Sequence, residues 1–549
     1  MLDIEITTDD LLAPFQVYSA LPLGLPAYYN ALSKSSDEIL RVGAYAALLD
    51  LMEIRRDQWD EIVDLSIYGA IRIRAANFFR ANYNYDYVDK VLSKSSPPEA
   101  HSLGERRLRA DIALDYEALL EIERQAFLEE GRIESLRAAS INAEFANGWK
   151  PSAQWLIRAV VLGPMEATSA TSLCKMLLFA NQYEYVQQLI QLFNTYKLYP
   201  TVRTVFAAAL ALQAGDAKAC LRLSQSVQTD RARPVESYLL GLRASACEKL
   251  ERYRDAYNWY LRQNKATRNP NIDPANFTKQ IERRIHTPIP ALPDDPRTDF
   301  HMMVGFPRSG TTLLENALAT HPLIETFEEI PSMSSAQAFY DRGLSDAGLT
   351  EDSVEAGLEA RRRYYNEIDR RRSKKDAVSF VDKLPIRSGE AAMLVKLFPK
   401  KKYIFSVRHP FDVVLSCFKQ DFKPNVAMAN FHTIPDAIRV YDFVMKQWFS
   451  VYSMDDERVH YLRYDELVTD FEKQTRRVCD FLGVPWDSKM LGFAEAAETR
   501  KVKTPSYQKV RSGLQIGVQS SWQNYRFLFE TREAEPLRKW VEFFGYDTN

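Results

Sequence analysis

The stretch Val304-Gly305-Phe306-Pro307-Arg308-Ser309-Gly310-Thr311-Thr312 constrains this chain more than any other. It follows the apolar run Phe300 to Val304 and precedes a helical pattern, Leu313-Leu314-Glu315-Asn316-Ala317-Leu318. A strand, a glycine-bounded loop and a helix start, in that order, make an anion cradle. Amide N–H groups point outward at the helix N-terminus, and the helix dipole favours negative charge there. The spacing Gly305-x4-Gly310 is that of a nucleoside-triphosphate loop, but Thr311 stands where such a loop carries Lys. That lysine bridges the β- and γ-phosphates, so its replacement argues against ATP or GTP hydrolysis. Arg308 and the paired threonines supply other donors. The loop suits a phosphate-like group rather than a triphosphate.

A chain of 549 residues exceeds what one core supports, so two or more domains are expected. The formal net charge of −2 gives no bulk attraction for nucleic acid, and an anionic ligand has to meet a local cluster of basic groups. The five cysteines (Cys174, Cys220, Cys247, Cys417 and Cys479) show no CxxC pairing and read as thiols of a reducing compartment. Met1-Leu2-Asp3-Ile4-Glu5 is acidic where a signal peptide is basic, and no run of about 18 uncharged apolar residues suggests a membrane span. The expectation is a cytoplasmic protein. Seven histidines without HExxH or similar spacing imply no metal site.

Up to about residue 285 helical periodicity dominates. Helices are expected at Ser36 to Ile54 and Tyr116 to Gly131, without a defensible period. From Ala153 onward short polar turns recur: Asn181-Gln182-Tyr183, then Gly215-Asp216-Ala217 34 residues later, then Glu251-Arg252-Tyr253 after a further 36. Each precedes an amphipathic stretch (Tyr185 to Leu192, Ala219 to Val227, Ala256 to Gln263). A helix–turn–helix unit near 34 residues is similar to a tetratricopeptide repeat, although the signature small and aromatic positions are only partly filled. Such a solenoid offers a surface to a peptide or protein partner. Four prolines between Pro288 and Pro296 then bar helix and mark a stiff linker. Beyond it, short β-rich runs (Met302 to Phe306, Val378 to Asp382, Lys402 to Val407, Val459 to Tyr464) alternate with helices, the pattern of a parallel sheet with crossovers. Ligands of such sheets bind beyond the carboxyl ends of the strands.

A second anion site is legible in Ser406-Val407-Arg408-His409-Pro410-Phe411-Asp412-Val413-Val414-Leu415-Ser416. A strand ends at Val407, Pro410 forces a turn, and a helix carries Ser416 about a turn and a half onward. Arg408 suits bidentate phosphate contact, and the Ser416 hydroxyl can serve a further oxygen.

Together these two segments resemble the sulfotransferases. Gly305 to Thr312 looks like their 5′-phosphosulfate loop, and Arg408 with Ser416 looks like their 3′-phosphate site. The likeness is strongest to tyrosylprotein sulfotransferases and to bacterial sulfotransferases carrying tetratricopeptide repeats. It covers roughly Phe300 to Tyr546, with the repeats extending it upstream, and implies an α/β fold, a P-loop-like three-layer sulfotransferase domain at 300–549; periodicity and the prolines set before it a helical region at 1–152, tetratricopeptide-like repeats at 153–285 and a linker at 286–299. The implied donor is 3′-phosphoadenosine 5′-phosphosulfate, held by Pro307, Arg308, Ser309, Gly310, Thr311, Thr312, Arg408 and Ser416, with no metal.

The resemblance extends residue by residue. His321-Pro322-Leu323-Ile324-Glu325-Thr326-Phe327-Glu328-Glu329 is similar to the family's His-Pro segment, and Glu329 falls on the catalytic base of the tyrosylprotein enzymes, with Glu328 as its rival. A carboxylate there can take the proton of an attacking hydroxyl. Val381-Asp382-Lys383-Leu384-Pro385 resembles a Lys-x-Pro element whose Lys383 neutralises the leaving oxygen; Arg308 joins it as a catalytic group. Tyr464 stands where the family sets a tyrosine against adenosine, or else is a half-buried core tyrosine. Ser506, in Lys503-Thr504-Pro505-Ser506-Tyr507, matches a serine beside the phosphosulfate. Trp522 follows at the expected distance, but Ser521 replaces a usual Lys or Arg, so Lys509 or Arg511 would have to supply that contact. Cys417 to Phe431 would form a lid or acceptor wall.

The acceptor implied is a peptide tyrosine, a small hydroxylated metabolite or a glycan. An inactive nucleotide-binding scaffold and a P-loop kinase are the competing readings. Glu329 with Lys383 speaks against the first, and Thr311 against the second. The basic runs Arg361 to Arg363, Arg370 to Lys375 and Lys400 to Lys402 alternate with acids and carry no stacking aromatics beyond Tyr364-Tyr365, so they read as a solvated face, or else as a contact for an acidic peptide or polysaccharide acceptor, and no nucleic-acid partner is expected.

Overall fold

The computed structural model of the chain describes residues 51–494 and 521–548, apart from gaps at 67–68, 82–83, 95–102, 113–114, 131–132, 163–166, 196, 229–234, 345–346 and 423, with scattered positions between 26 and 49. The expected helix at Ser36 to Ile54 lies largely outside them, while the other runs from Tyr116 to Glu130. The chain divides into two compact units, Met1–Ile122 with Pro331–Arg370, and Glu123–Ile330 with Arg371–Asn549. The first is helical and packs around an aromatic cluster in which Trp59 meets Phe79 and Tyr87 edge-on at 5.0 and 4.9 Å.

The second unit holds both the recurring helix pairs and the sheet. Its later helices are α1 (Tyr183–Thr195), α2 (Pro200–Gln213), α3 (Ala217–Gln225), α4 (Glu236–Lys249) and α5 (Tyr253–Thr267). The three expected turns share one geometry. Asn181, Gly215 and Glu251 take φ of 58°, 87° and 57°. The next amides, Gln182, Asp216 and Arg252, donate back to the carbonyls of Leu177, Ala211 and Cys247 at 2.8, 2.9 and 2.8 Å. That bond, five residues back across a left-handed residue, is the Schellman closure of a helix. The sequence period is thus a period of turn geometry.

The proline-rich segment has neither helix nor strand, but it does not hang free. Ile289 and Leu292 are buried, Asp295 pairs with Lys401 at 2.8 Å, and Lys396 Nζ donates to Thr287 O at 2.8 Å. Two apolar side chains and a buried ion pair fasten it within the second unit.

Five parallel strands form the sheet: β1 (Phe300–Gly305), β2 (Ile324–Glu328), β3 (Ser379–Lys383), β4 (Lys402–Val407) and β5 (Val459–Arg463), in the order β2-β3-β1-β4-β5. β2 has no counterpart among the expected strands. All six residues of β1 are buried, as a central strand covered on both faces requires. The helix α6 (Thr311–Thr320) follows β1 and α7 (Pro410–Lys419) follows β4; α8 (Ile434–Phe449) and α9 (Phe471–Leu482) come later. Met303, Val381, Ile404 and Leu462 point to one face, against Leu314 and Leu318 of α6 and Val478 of α9. On the other, Trp448 of α8 packs on Phe405 and Tyr403 at 4.9 and 5.4 Å. Each such fully buried side chain contributes roughly 1.5–3 kcal/mol. The period of two along β1 therefore divides a three-layer core, and all five strands end at one edge.

Candidate active site

Every strand delivers a candidate residue at that edge. β1 runs into the loop, β2 ends at Glu328 with Glu329 next, β3 ends at Lys383, β4 precedes Arg408, and Tyr464 follows β5. Parallel strands in register make this convergence unavoidable.

The loop is built around two glycines. Gly305 has φ +149°, and a β-carbon there would lie 2.7 Å from the Ser406 carbonyl oxygen. At Gly310 φ is +100°, and a β-carbon would sit 2.3 Å from Cδ2 of Tyr464. Gly310 occupies the N-cap of α6 with no side chain to cover the helix end, and Thr311 and Thr312 are its first, buried residues. Arg308 carries φ +72°, an unusual conformation for a residue with a β-carbon. Ser309 is held through its carbonyl by Ser406 Oγ at 2.8 Å, while its own buried hydroxyl has no hydrogen-bond partner among the described residues. A buried donor of this kind at a helix N-terminus fits an anionic group.

The two anion sites expected separately are joined. Arg308 Nε donates to Ser416 Oγ at 3.1 Å, and an Arg408 guanidinium N–H donates to the Arg308 carbonyl at 3.2 Å. Burial, with Arg408 beside it, holds the Arg308 guanidinium below its ordinary pKa, a balance that a bound anion would reverse. Arg408 stacks over the Tyr464 ring at 4.8 Å, and that ring lies against Gly310. Pro307 accepts the Cys417 thiol at 3.4 Å through its carbonyl. Ser506, Lys509 and Arg511 lie outside the described residues.

On the other side of the loop sits an ammonium among carboxylates. Lys383 Nζ donates to Glu329 Oε1 at 3.0 Å and stands 3.1 Å from Glu315 Oε2 and 3.6 Å from Glu328 Oε1. Burial opposes its charge, but Glu315, Glu329 and Glu328 outweigh that and raise its pKa. The Lys383 side chain is 0% exposed, Glu315 1%, Glu328 10% and Glu329 39%. Glu329 has φ +49°, and its amide is held by the Lys383 carbonyl at 2.8 Å. That turn lifts its carboxylate outward while Glu328 stays inside. Of the two rivals, only Glu329 combines exposure with a strained backbone.

Four further residues make contacts that were not expected. Glu315 reaches Lys383 from the second turn of α6; its signal was a charge inside a turn otherwise buried and largely apolar. Asp412 accepts both Ser521 Oγ and the Trp522 amide at 3.1 Å, so Ser521, at the position expected to be basic, is bound to a carboxylate. Asn264 of α5 donates to the carbonyls of Phe418 and His432 at 2.9 and 3.3 Å, fastening both ends of the expected acceptor wall. Nearby, Glu248 of α4 accepts Tyr525 and Tyr260 at 2.6 and 2.9 Å and pairs with Lys419. The basic runs are engaged with acids: Arg362 and Arg363 with Glu359, Lys400 with Asp294, and Lys401 with Asp295. Among the described residues no helix is long and apolar enough to cross a membrane.

Residues 302–488 match the model of the sulfotransferase family. This stretch is a sulfotransferase-family domain. Zebrafish (Danio rerio) protein-tyrosine sulfotransferase 1 is 24% identical over 293 residues, covering 51% of this chain and 80% of the relative. Caenorhabditis elegans protein-tyrosine sulfotransferase A is 28% identical over 216 residues, covering 35% and 52%. An uncharacterized protein of Aquifex aeolicus is 24% identical over 298 residues, covering 51% and 38%. The chain thus spans about half or less of the length of the nematode and Aquifex relatives. Among solved structures, the sulfotransferase domain of the Synechococcus PCC 7002 olefin synthase is similar at 20% identity and a TM-score of 0.31, covering 48% of this chain and 96% of that one.

Proposed function

We propose that the chain transfers a sulfuryl group from 3′-phosphoadenosine 5′-phosphosulfate to an acceptor hydroxyl, a peptide tyrosine being the favoured acceptor. The observation that carries this is the convergence, at one sheet edge, of a glycine-bounded loop without lysine, the Arg308–Ser416 and Arg408–Arg308 hydrogen bonds that tie it to the end of β4 and to α7, and a carboxylate–ammonium pair. The donor supplies an activated sulfate with a 5′-phosphate as its leaving group. Ser309, Thr311, Thr312 and the loop amides would hold the phosphosulfate, Arg408 and Ser416 the 3′-phosphate, and Tyr464 the adenosine. Ser506 would join them.

Glu329, exposed and held by a strained turn, takes the acceptor proton. Lys383 and Arg308 stand by the oxygen on which negative charge develops. In balance, one acceptor O–S bond forms, one bridging S–O bond breaks, the proton passes to Glu329, and 3′,5′-adenosine bisphosphate leaves. No metal has a part in it. The relatives named protein-tyrosine sulfotransferases support the tyrosine acceptor. The helix pairs, read as tetratricopeptide-like, would present the acceptor chain or a protein partner. Five buried unpaired thiols support a reducing, cytoplasmic setting.

Purified protein incubated with sulfur-35-labelled donor and cell extract tests this. Label in protein, released as tyrosine sulfate, is the expected result. Label in small molecules or glycans moves the acceptor to those classes, and no transfer to any fraction overturns the proposal.

A further inference from the structure

We propose that Glu315 is a positioning residue for sulfuryl transfer: from α6 it holds the Lys383 ammonium, so that Glu329 is left able to take a proton. The inference rests on the reading of Glu329 and Lys383 given above. Three carboxylates surround the Lys383 ammonium: Glu329 accepts its hydrogen bond at 3.0 Å, while Glu315 and Glu328 stand 3.1 and 3.6 Å away. These carboxylates come from β2 and its end, and from α6, the elements packed about the lysine. On β3 itself, Asp382 is engaged with Arg387. Glu315 is 1% exposed, so it is shut off from an acceptor, whereas Glu329 at 39% can meet one.

A buried ion pair is a costly thing to build and is weak grounds for stability alone. Its use here follows from charge balance. Were Glu329 and Glu328 alone to face Lys383, the ammonium would stabilise ionised Glu329 and make it a poorer proton acceptor. Once Glu329 took the proton, the buried ammonium would also lose a counter-charge. Glu315 supplies a second carboxylate that takes no part in the proton transfer and stays in place through that step. It also ties the end of β3 to the helix that begins at the phosphosulfate loop, fixing the lysine relative to that loop.

The test is the pH dependence of kcat/KM for Glu315→Gln, with 3′,5′-adenosine bisphosphate binding as the control. The acid limb is expected to move down by about one pH unit, and the plateau to fall on the order of tenfold, with ligand affinity within about twofold of wild type. A purely structural role would lower activity evenly at every pH. An unmoved limb therefore overturns the proposal. Glu315→Asp keeps a carboxylate in the core and guards against a folding failure of the glutamine variant. It should shift the limb in the same direction by less, and no shift counts against Glu315 as well. Glu329→Gln run alongside separates the two claims. Full activity there overturns the reading of the base and this proposal together, whereas a dead Glu329→Gln with an unmoved Glu315→Gln limb overturns this proposal alone.

Discussion

Gly310→Ala strikes the loop where backbone and ring meet. The residue sits at φ +100°, and its added β-carbon would lie 2.3, 3.0 and 3.2 Å from Cδ2, Cε2 and Cγ of Tyr464. Forcing an L-residue into the left-handed region costs about 1–2 kcal/mol. Displacing a packed ring adds about 1–3 kcal/mol, so the total is about 2–5 kcal/mol. Gly483, which closes α9 at φ +75° with open space around its β-position, is the internal control. Gly483→Ala carries only the backbone cost of about 1–2 kcal/mol. Urea unfolding followed by tryptophan fluorescence should give a clearly larger loss for Gly310→Ala. Calorimetry should separate the two further. Tyr464 carries the Arg408 guanidinium on its face at 4.8 Å, so moving the ring moves that guanidinium, the proposed 3′-phosphate contact, as well. Affinity for 3′,5′-adenosine bisphosphate should fall for Gly310→Ala and hold for Gly483→Ala. Equal stability losses with unchanged affinity in both would refute this picture of the loop.

Glu329→Gln should lower turnover by about 10²–10⁴-fold with product-nucleotide binding intact, and Glu328→Gln by much less; steady-state rates with each variant decide between them. Asn264→Leu leaves the Phe418 and His432 carbonyls without their donor, at about 1–3 kcal/mol; faster proteolysis between Lys419 and His432 and a higher acceptor KM are the expected readouts. His301 lies buried on β1, where burial and then Lys401 and Lys402 push its pKa down to about 3. It stays neutral in the fold but takes a proton in the unfolded chain below about pH 6.5. Stability therefore falls as pH drops from there toward 3, by about 1.4 kcal/mol per pH unit from this group. His301→Gln should remove that slope between pH 6 and 5 in denaturant titrations, and an unchanged slope would discount it.

What could be read from the chain was mostly local. The turns at Asn181, Gly215 and Glu251 announce themselves by polar residues at a regular interval, and the structure gives all three one closure. Strands β1, β3, β4 and β5 were legible because each is a short apolar run of β-formers, even though their ends shift by a residue or two. β2 escaped notice because Ile324-Glu325-Thr326-Phe327-Glu328 carries two acids in five residues; it is a strand through its pairing with β3. Buried Glu325 is compensated by the Ser373 and Lys374 amides at 2.7 and 3.2 Å, partners 48 and 49 residues away. The same limit applies to the candidate site. Residue types at the five strand ends could be named in advance, but not the reach of Arg308 to Ser416 over 108 residues, nor the seat of Glu315 on Lys383. Those contacts depend on strand order, which no local pattern encodes.

Calorimetric titration of the purified chain with 3′,5′-adenosine bisphosphate and, separately, with ATP and Mg²⁺ bears most directly on sulfuryl transfer. The two proposed anion sites, without a triphosphate lysine, call for binding of the bisphosphate, weakened by raised salt and by Arg408→Ala, with no measurable binding of ATP. Preference for ATP, with dependence on Mg²⁺, would contradict the assignment at its root.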